Sequence, residues 1–236
     1  MCWSEGASLA MVGIGTVATV VALRRGEPRA IPAALGYFTF MEALQAAGYQ
    51  VLNECGAVGN QTVTLLSYLH IALQPIFINA FAMAITPIGV SQAMRRRVYL
   101  LSALASAFLL LRLVPLDFWG PCKEGQVLCA RQFCTVAGNW HLGWQVPLND
   151  LWGALIGPVS KVIQFPDYLL AVFVLPLFYG AWRFVVFHAA VGPLLAMILT
   201  DNPFEMPAIW CLFSIGIVLG GTSSIFRQKV FQGRTV

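Results

Sequence analysis

Charge is scarce in this chain. Only 10% of its 236 residues are Asp, Glu, Lys or Arg, whereas a soluble domain carries about 25%. Hydrophobic residues make up 58% of the sequence, and no stretch is long enough to form a separate soluble domain. The net charge of +4 does not indicate a nucleic-acid partner, because the basic residues stand beside apolar segments, where they act as topology signals.

Several familiar motifs are also missing. The sequence contains no P-loop, dinucleotide fingerprint, Gly-x-Ser-x-Gly or His-Glu-x-x-His, and the absence of Cys-x-x-Cys argues against a thiol relay. No basic residue precedes the first apolar run, so we expect a retained helix rather than a cleavable signal peptide. The last apolar segment has no lysine, which excludes a retinal Schiff base there.

Seven apolar stretches dominate what remains. Most are long enough to cross a bilayer, because about 30 Å at 1.5 Å per residue takes roughly 20 residues. The sequence predicts an all-α, polytopic membrane protein, with one seven-helix transmembrane domain over residues 1–236. A six-helix alternative would join the fifth and sixth stretches, but we expect a break at 180–183. The stretches are Ser8–Leu23, Ala30–Leu52, Thr62–Ile85, Val98–Pro115, Phe165–Ala181, Val185–Thr200 and Met206–Gly221.

The basic residues predict the orientation. With the N-terminus outside, the loop at 24–29, the Arg95–Arg97 triplet and the C-terminal tail all fall inside, as the positive-inside rule requires. The long loop at 116–164 then falls outside and is expected to cap the bundle. Its moderately apolar part, Leu148–Val162, fits either a helix lying on the outer surface or a re-entrant segment.

This orientation places the cysteines on the outer, oxidising side, where structural disulfides are expected. At least one bridge should involve Cys122, Cys129 or Cys134. Six cysteines permit 15 pairings, and the sequence does not choose among them. The alternative is that several are buried free thiols, which pack as small apolar groups. The disulfide candidates are Cys2, Cys55, Cys122, Cys129, Cys134 and Cys211.

A few costly polar side chains lie inside the predicted helices. From the rise per residue, Glu42, His70 and Arg112 fall at a similar height in the outer half of the bilayer. Gln45 lies one turn above Glu42, and a second glutamine lies one turn below His70. These positions predict a polar pocket that opens outward, walled by the second to fifth helices. The candidate ligand-binding residues are Glu42, Gln45, His70, Gln74, Arg112 and Asp167.

Two interpretations fit this pocket. In the functional one, Glu42 is a base, proton carrier or ligand, His70 is its partner or a metal ligand, and Arg112 anchors an anion. In the structural one, Glu42 pairs with Arg112 and His70 bonds a neighbouring helix, which locks the bundle. We assign no catalytic residue, and a metal cofactor held by Glu42 and His70 remains open. His188, near the inner end, is expected to be a packing histidine.

Three functions follow from these observations. The first is a binding or sensing protein, or a subunit of a membrane complex, that holds a lipid, pigment, small molecule or ion. The second is a membrane-embedded, metal-dependent lipid hydrolase. The third is a transporter or a proton or ion conductor, although internal repeats are lacking. The expected partners are the bilayer of a plasma, inner or internal membrane, such a ligand, and further subunits of a homo- or hetero-oligomer, without nucleic acid.

Three short motifs resemble a family of multi-pass membrane proteins of unknown function. They are Met1-Cys2-Trp3-Ser4, Phe40-x-Glu42-x-x-Gln45 and His70-x-x-x-Gln74-Pro75. This resemblance covers mainly the first third of the chain and implies no activity. It falls on four of the candidate residues that the depth argument selects independently.

A more distant similarity is to the seven-helix hydrolases that include alkaline ceramidases and the adiponectin-receptor type. That superfamily implies a zinc ion held by three histidines, with a serine and an aspartate nearby. This chain has three histidines in all, and His141 and His188 are expected too far from His70 to share a metal. Ser67 precedes His70 by three residues where the superfamily has four. The similarity is therefore one of topology.

Overall fold

A computed structural model of the protein describes residues 3–87 and 89–231. It is mostly helical, which confirms the helical class, and one small hairpin interrupts the helices. All seven predicted stretches coincide with helices, namely α1–α4 and α6–α8. The elements are α1 (Glu5–Arg24), α2 (Ala30–Gln50), α3 (Val58–Ile85), α4 (Gln92–Leu111), β1 (Cys134–Ala137), β2 (Leu142–Gln145), α5 (Leu151–Lys161), α6 (Pro166–Tyr179), α7 (Trp182–Leu199), α8 (Met206–Thr222) and α9 (224–231).

The predicted break between α6 and α7 is present. Gly180 adopts a left-handed φ of 84°, a conformation that glycine reaches without steric cost and that ends α6. The chain then begins α7 at Trp182. Residues 165–200 therefore form two helices rather than one long one.

Three helices, α1, α3 and α7, are long and apolar enough to cross a membrane. A fourth span arises if α5 and α6, which bend by 75° at their junction, are counted together. The remaining predicted spans do not combine the required length and hydropathy. For example, α8 has 17 residues. The helices are thus compatible with a membrane protein, whereas the expected count of seven crossings is not supported by these criteria.

The core of the bundle lies along α2 and α3. Helix α2 packs against α1, α3 and α8, and α3 contacts α4, α6 and the hairpin. Fully buried side chains of α2, including Ile31, Leu35 and Met41, fill this core. Helix α1 is different, because large apolar side chains such as Val17 and Leu23 are more than half exposed along it. The bundle therefore presents apolar helix surface outward.

Residues 116–164 form a cap at one end of the bundle, which we call the cap end. Its strands pair antiparallel, and the Cys55–Cys134 disulfide joins β1 to the loop between α2 and α3. A second disulfide, Cys122–Cys129, lies within the cap. The expected bridge involving these cysteines is confirmed. Cys211 is instead a buried free thiol inside α8, and Cys2 lies outside the described residues.

The turn of the hairpin is fixed to the loop between α7 and α8. The carboxylate of Glu205 accepts hydrogen bonds from the backbone N–H groups of residues 139–141 and from the Thr200 hydroxyl. Gly138 makes room for this contact, since a Cβ there would lie 2.6 Å from Glu205 Cδ. The carboxylate therefore caps three orphan donors of the turn and holds the cap on the bundle.

Contacts at the two ends of the bundle show which segments of the chain lie at each end. At the cap end, the backbone N–H of Trp3 donates to the Trp140 carbonyl, so α1 begins beside the cap. At the opposite end, Arg227 and Glu27 form a bidentate ion pair of 2.8 and 2.9 Å. This pair joins the loop between α1 and α2 to α9.

Candidate functional site

Glu42 is the most unusual side chain of the bundle. It lies on α2, is completely buried, and neither of its carboxylate oxygens has a hydrogen-bond partner. No ion pair within residues 3–87 and 89–231 includes it. The Ser8 hydroxyl of α1 approaches the carboxyl across the helix interface and interacts with it, without completing a hydrogen bond. Burying a carboxyl group without a partner is costly, so this position calls for an explanation.

Two further residues of the same α2 face meet the cap, because positions 42, 45 and 49 follow the helical repeat. Gln45 donates from Nε2 to the Ala208 carbonyl at 3.1 Å, and its Oε1 lies 2.8 Å from His141 Nε2. The Tyr49 hydroxyl lies 2.5 Å from His141 Nδ1. Assigned from these partners, Nε2 of His141 carries the proton and Nδ1 accepts from tyrosine.

His141 is therefore held as a neutral base on the inner side of the cap. Burial lowers the pKa of His141 to about 3, because the charged imidazolium would lose its hydration there. Its single tautomer matches the donor and acceptor on either side. Through its contacts with Gln45 and Tyr49, His141 joins the polar face of α2 that also carries Glu42.

Trp3 covers the same region from the side of α1. Its indole Nε1 donates to Ser8 Oγ at 3.1 Å, and its ring stacks on Trp140 with centroids 6.0 Å apart. The edge of the indole also meets His141 at 6.3 Å. Since Ser8 neighbours Glu42, the N-terminal tryptophan lies between the cap and the buried carboxyl.

His70 joins α3 to α2 through a reciprocal contact with Tyr37. His70 Nε2 lies 2.8 Å from the Tyr37 carbonyl, and the Tyr37 hydroxyl donates to the His70 carbonyl. The two rings stack at 3.8 Å, and Phe77 stacks on the other face of Tyr37 at 3.7 Å. Because Nε2 is the donor, Nδ1 carries the lone pair, and this buried atom has no partner. His70 thus locks two helices while keeping one free acceptor.

Gln74 connects α3 to α6 and α8. Its Nε2 donates to Cys211 Sγ at 3.2 Å, and its Oε1 accepts from the Tyr168 hydroxyl at 2.5 Å. Cys211 also interacts electrostatically with Glu42 and with Tyr37. Four predicted residues therefore gather around the interface of α2, α3 and α8. We call this group the Glu42 cluster: Glu42, Gln45, His70 and Gln74.

Arg112 and Asp167 lie apart, in what we call the Arg112 cluster. The Arg112 guanidinium reaches the carbonyls of Gln164 and Asn149 at 3.3 and 3.5 Å and stacks over Phe165 at 4.4 Å. It interacts electrostatically with Asp167. The expected ion pair between Glu42 and Arg112 is not formed. The physical reason is that Arg112 ends α4 and turns toward the cap and α6.

The histidines do not share a centre. In the described part of the chain, no three His, Cys, Asp or Glu side chains come together as metal ligands. His188 accepts a hydrogen bond from Trp210 Nε1 at 3.1 Å and packs against Phe173 and Phe184, which agrees with a packing role. A metal held by Glu42 and His70 stays a prediction, with no third ligand of these kinds beside them.

A cleft of about 760 Å³ opens within the cap, next to the Cys122–Cys129 bridge. Asp117, Glu124 and Arg131 line it, and none of the six predicted binding residues does. This cleft is thus not the expected pocket, which was to open outward and be walled by the second to fifth helices. Instead, the cap meets the Glu42 cluster at Gln45, through His141.

Comparison with known proteins places the chain in a family. The sequence matches the model of a family of unknown function, DUF5765, over residues 6–231. The chain belongs to this family. The DUF5765 match agrees with the resemblance seen in the N-terminal motifs, and it extends to nearly the whole chain. No curated protein and no solved structure matches, so nothing supports the similarity to alkaline ceramidases.

Proposed function

We propose that the protein is an integral membrane protein whose helices α1–α4 and α6–α8 cross the bilayer, with the N-terminus outside and the C-terminus inside. Support comes from the exposed apolar surface of α1 and from the two disulfides at the cap end, which suit an oxidising compartment. The Arg95–Arg97 triplet and Arg227 belong to the opposite end, as the positive-inside rule favours.

Within this bundle, the Glu42 cluster binds a ligand, and the protein acts as a sensor, a binding protein or a subunit of a membrane complex. The observation that carries this proposal is the buried carboxyl of Glu42, whose two oxygens have no partner. Buried polar groups in proteins are almost always satisfied, so an orphan carboxyl suits a bound group. The ligand must offer a hydrogen-bond donor or a cation to Glu42.

In the structural alternative, Glu42 would be one member of a buried ion pair that stabilises the bundle. Removing one member of a buried ion pair costs about 3–5 kcal/mol, because the remaining charge is left unpaired. Glu42 has no such partner. Glu42→Gln should therefore leave the stability of the protein unchanged or raise it, while the bound ligand is lost.

Native mass spectrometry of the protein purified from membranes tests this expectation. The wild type should carry a bound small molecule or ion that Glu42→Gln lacks, and the two proteins should unfold at similar temperatures. Glu54→Gln, at an exposed carboxylate in the loop after α2, is the matched control and should behave as the wild type. A large loss of thermal stability in Glu42→Gln with identical bound masses would instead establish the locking role.

A second candidate, a proton or ion conductor, is favoured by one further observation. Five residues beyond Gln74 on α3, Asn79 accepts a hydrogen bond from the Tyr179 hydroxyl at 2.8 Å. Gln74 and Asn79 therefore extend the buried polar groups from the level of Glu42 toward the end opposite the cap. Proton flux into liposomes that is present in the wild type and absent in Glu42→Gln would select this candidate. No comparable observation favours the hydrolase.

A further inference from the structure

The Arg112 cluster contains charged groups that the protein itself leaves unsatisfied. Arg112 is 3% exposed and Asp167 is 6% exposed. Both carboxylate oxygens of Asp167 and Nε of Arg112 are buried without a hydrogen-bond partner, and so is the indole Nε1 of the neighbouring Trp152. The arginine and aspartate interact electrostatically but do not come within 4 Å of each other. Among the described residues, no direct ion pair therefore satisfies either charge.

The surroundings of the cluster suit the boundary between lipid and water. Helix α5, which carries Trp152, exposes Leu155 and Val159 at 58% and 53% of their surface, and Val162 just after its end is 86% exposed. It meets α6 at a 75° bend, so it does not continue in the direction of the bundle helix. An apolar helix of this kind, lying across the end of a bundle, is typical of the membrane interface. Tryptophan is enriched at the same level.

We propose that the Arg112 cluster binds the headgroup of an aminophospholipid of the phosphatidylethanolamine type. The guanidinium of Arg112 holds the phosphodiester, and the carboxylate of Asp167 accepts hydrogen bonds from the primary ammonium. This site rests on the proposed placement in a membrane, and it is independent of the ligand at Glu42.

The donor and acceptor inventory selects this headgroup. An isolated anion would satisfy Arg112 and leave Asp167 unpaired, whereas a zwitterion satisfies both side chains. The Tyr168 backbone N–H and the Trp152 indole approach the Asp167 carboxylate, but neither completes a hydrogen bond to it. A primary ammonium supplies N–H groups that the quaternary ammonium of phosphatidylcholine does not have. Guanidinium groups are well suited to phosphate recognition.

The first test uses the wild-type chain in nanodiscs, with lipids retained through delipidation identified by native mass spectrometry. The bilayer would contain equal amounts of phosphatidylethanolamine, its N-methyl and N,N-dimethyl forms, and phosphatidylcholine, all with the same acyl chains. Retention should fall with each added methyl group. Between the two ends of the series we expect about tenfold, the effect of one charge-assisted hydrogen bond. Equal retention across the series would overturn the proposal.

Variants then assign the contacts. Asp167→Asn should retain the methylated and unmethylated lipids equally, because the anion that selects N–H donors is gone. Arg112→Gln should lose all four lipids, since the phosphate is common to them. Asp117→Asn, at an exposed carboxylate of the cap, is the matched control and should keep the wild-type preference. An unchanged preference in a folded Asp167→Asn would contradict the assignment, and the methyl series still applies if the variant fails to fold.

Two further measurements distinguish a bilayer lipid from a soluble headgroup compound, and the headgroup site from the membrane placement. Glycerophosphoethanolamine carries the same headgroup without acyl chains, and it should not displace the lipid at equal concentration. If it does, the membrane origin of the ligand is wrong. Failure of the chain to insert in the bilayer would instead refute the proposed membrane placement. Normal insertion with no lipid preference would refute the headgroup site alone.

Discussion

At the residue scale, one face of α2 carries three polar side chains with different environments. Gln45 and Tyr49 find partners on the cap, whereas Glu42, one turn below, finds none. The cap thus satisfies the outer part of this face and stops short of the carboxyl. The buried carboxyl beside satisfied neighbours is the feature on which the proposed ligand site rests.

His141 gives this arrangement a pH dependence. Burial lowers its pKa to about 3, whereas a histidine in an unfolded chain titrates near 6.5. Between these values the unfolded chain binds a proton that the folded chain does not. The stabilising contribution is therefore complete above about pH 6.5 and is lost as the pH falls toward 3. His141→Gln should remove it, by about 1.4 kcal/mol per pH unit for a single proton.

Thermal unfolding between about pH 7 and pH 4 checks this expectation. The transition temperature of the wild type should fall more steeply toward low pH than that of His141→Gln. His70 and His188 are present in both proteins, so the difference isolates His141. Asn139→Gln, at an exposed side chain of the same turn, should follow the wild type. Equal slopes in all three proteins would mean that His141 is not buried as a neutral base.

The sequence placed the six candidate polar residues in one pocket, whereas the structure divides them between two clusters. Glu42, Gln45, His70 and Gln74 share an interface because their spacing and depth follow directly from the helical rise. Arg112 does not join them, since its position at the end of α4 lets the side chain turn toward α6. His141 of the cap and Glu205, which holds the cap from the loop before α8, were not found as site residues, because loop conformation has no periodicity from which to predict contacts.

At the scale of elements, the boundaries of the helices were largely predictable. Predicted stretches and observed helices agree within a few residues at most ends, and Gly180 marks the break that separates α6 from α7. The start of α4 was placed six residues too late, at Val98 instead of Gln92. The arginines at 95–97 lowered the apolar signal, although charged residues continue a helix readily.

The two disulfides should contribute unequally to stability. Cys55–Cys134 closes a separation of 79 residues, and Cys122–Cys129 closes one of 7. On the loop-entropy estimate, these bridges restrict the unfolded chain by about 4.5 and about 2.5 kcal/mol respectively. Replacing Cys55 and Cys134 together by serine should therefore lower the unfolding temperature more than replacing Cys122 and Cys129.

The two double variants serve as controls for each other, since each removes one bridge and adds two hydroxyl groups. Thermal unfolding followed by intrinsic tryptophan fluorescence would compare them with the wild type. The same ranking should disappear in a reducing agent that opens both bridges. A larger loss from the short bridge would show that local strain in the cap outweighs the loop entropy.

At the scale of the whole molecule, the two ends of the bundle differ in chemistry. The cap end holds both disulfides and the contact between Trp3 and Trp140, and the opposite end holds the ion pair between Glu27 and Arg227. Three helices satisfy the length and hydropathy of a membrane span by themselves. The other crossings belong to the proposed arrangement, in which their polar residues would be buried against neighbouring helices.

Labelling of single cysteines tests the proposed topology. Ala137→Cys places a thiol on the exposed end of β1, and Arg96→Cys places one on the exposed start of α4. A membrane-impermeant maleimide added to intact cells should label position 137 and should reach position 96 only after permeabilisation. The buried thiol of Cys211 should not react in either protein. Labelling of both positions from the same side would contradict the topology.

The carboxylate of Glu205 imposes an order on biosynthesis. Residues 139–141 leave the ribosome long before residue 205, so the hairpin turn has three unfulfilled amide donors while α6 and α7 are still being synthesised. The Cys55–Cys134 bridge needs none of the later chain. The disulfide can therefore attach the cap to the loop after α2 before Glu205 is available to bind the hairpin turn. A chain stopped after α7 would carry its disulfide and still display a loose turn to the chaperones that survey nascent proteins.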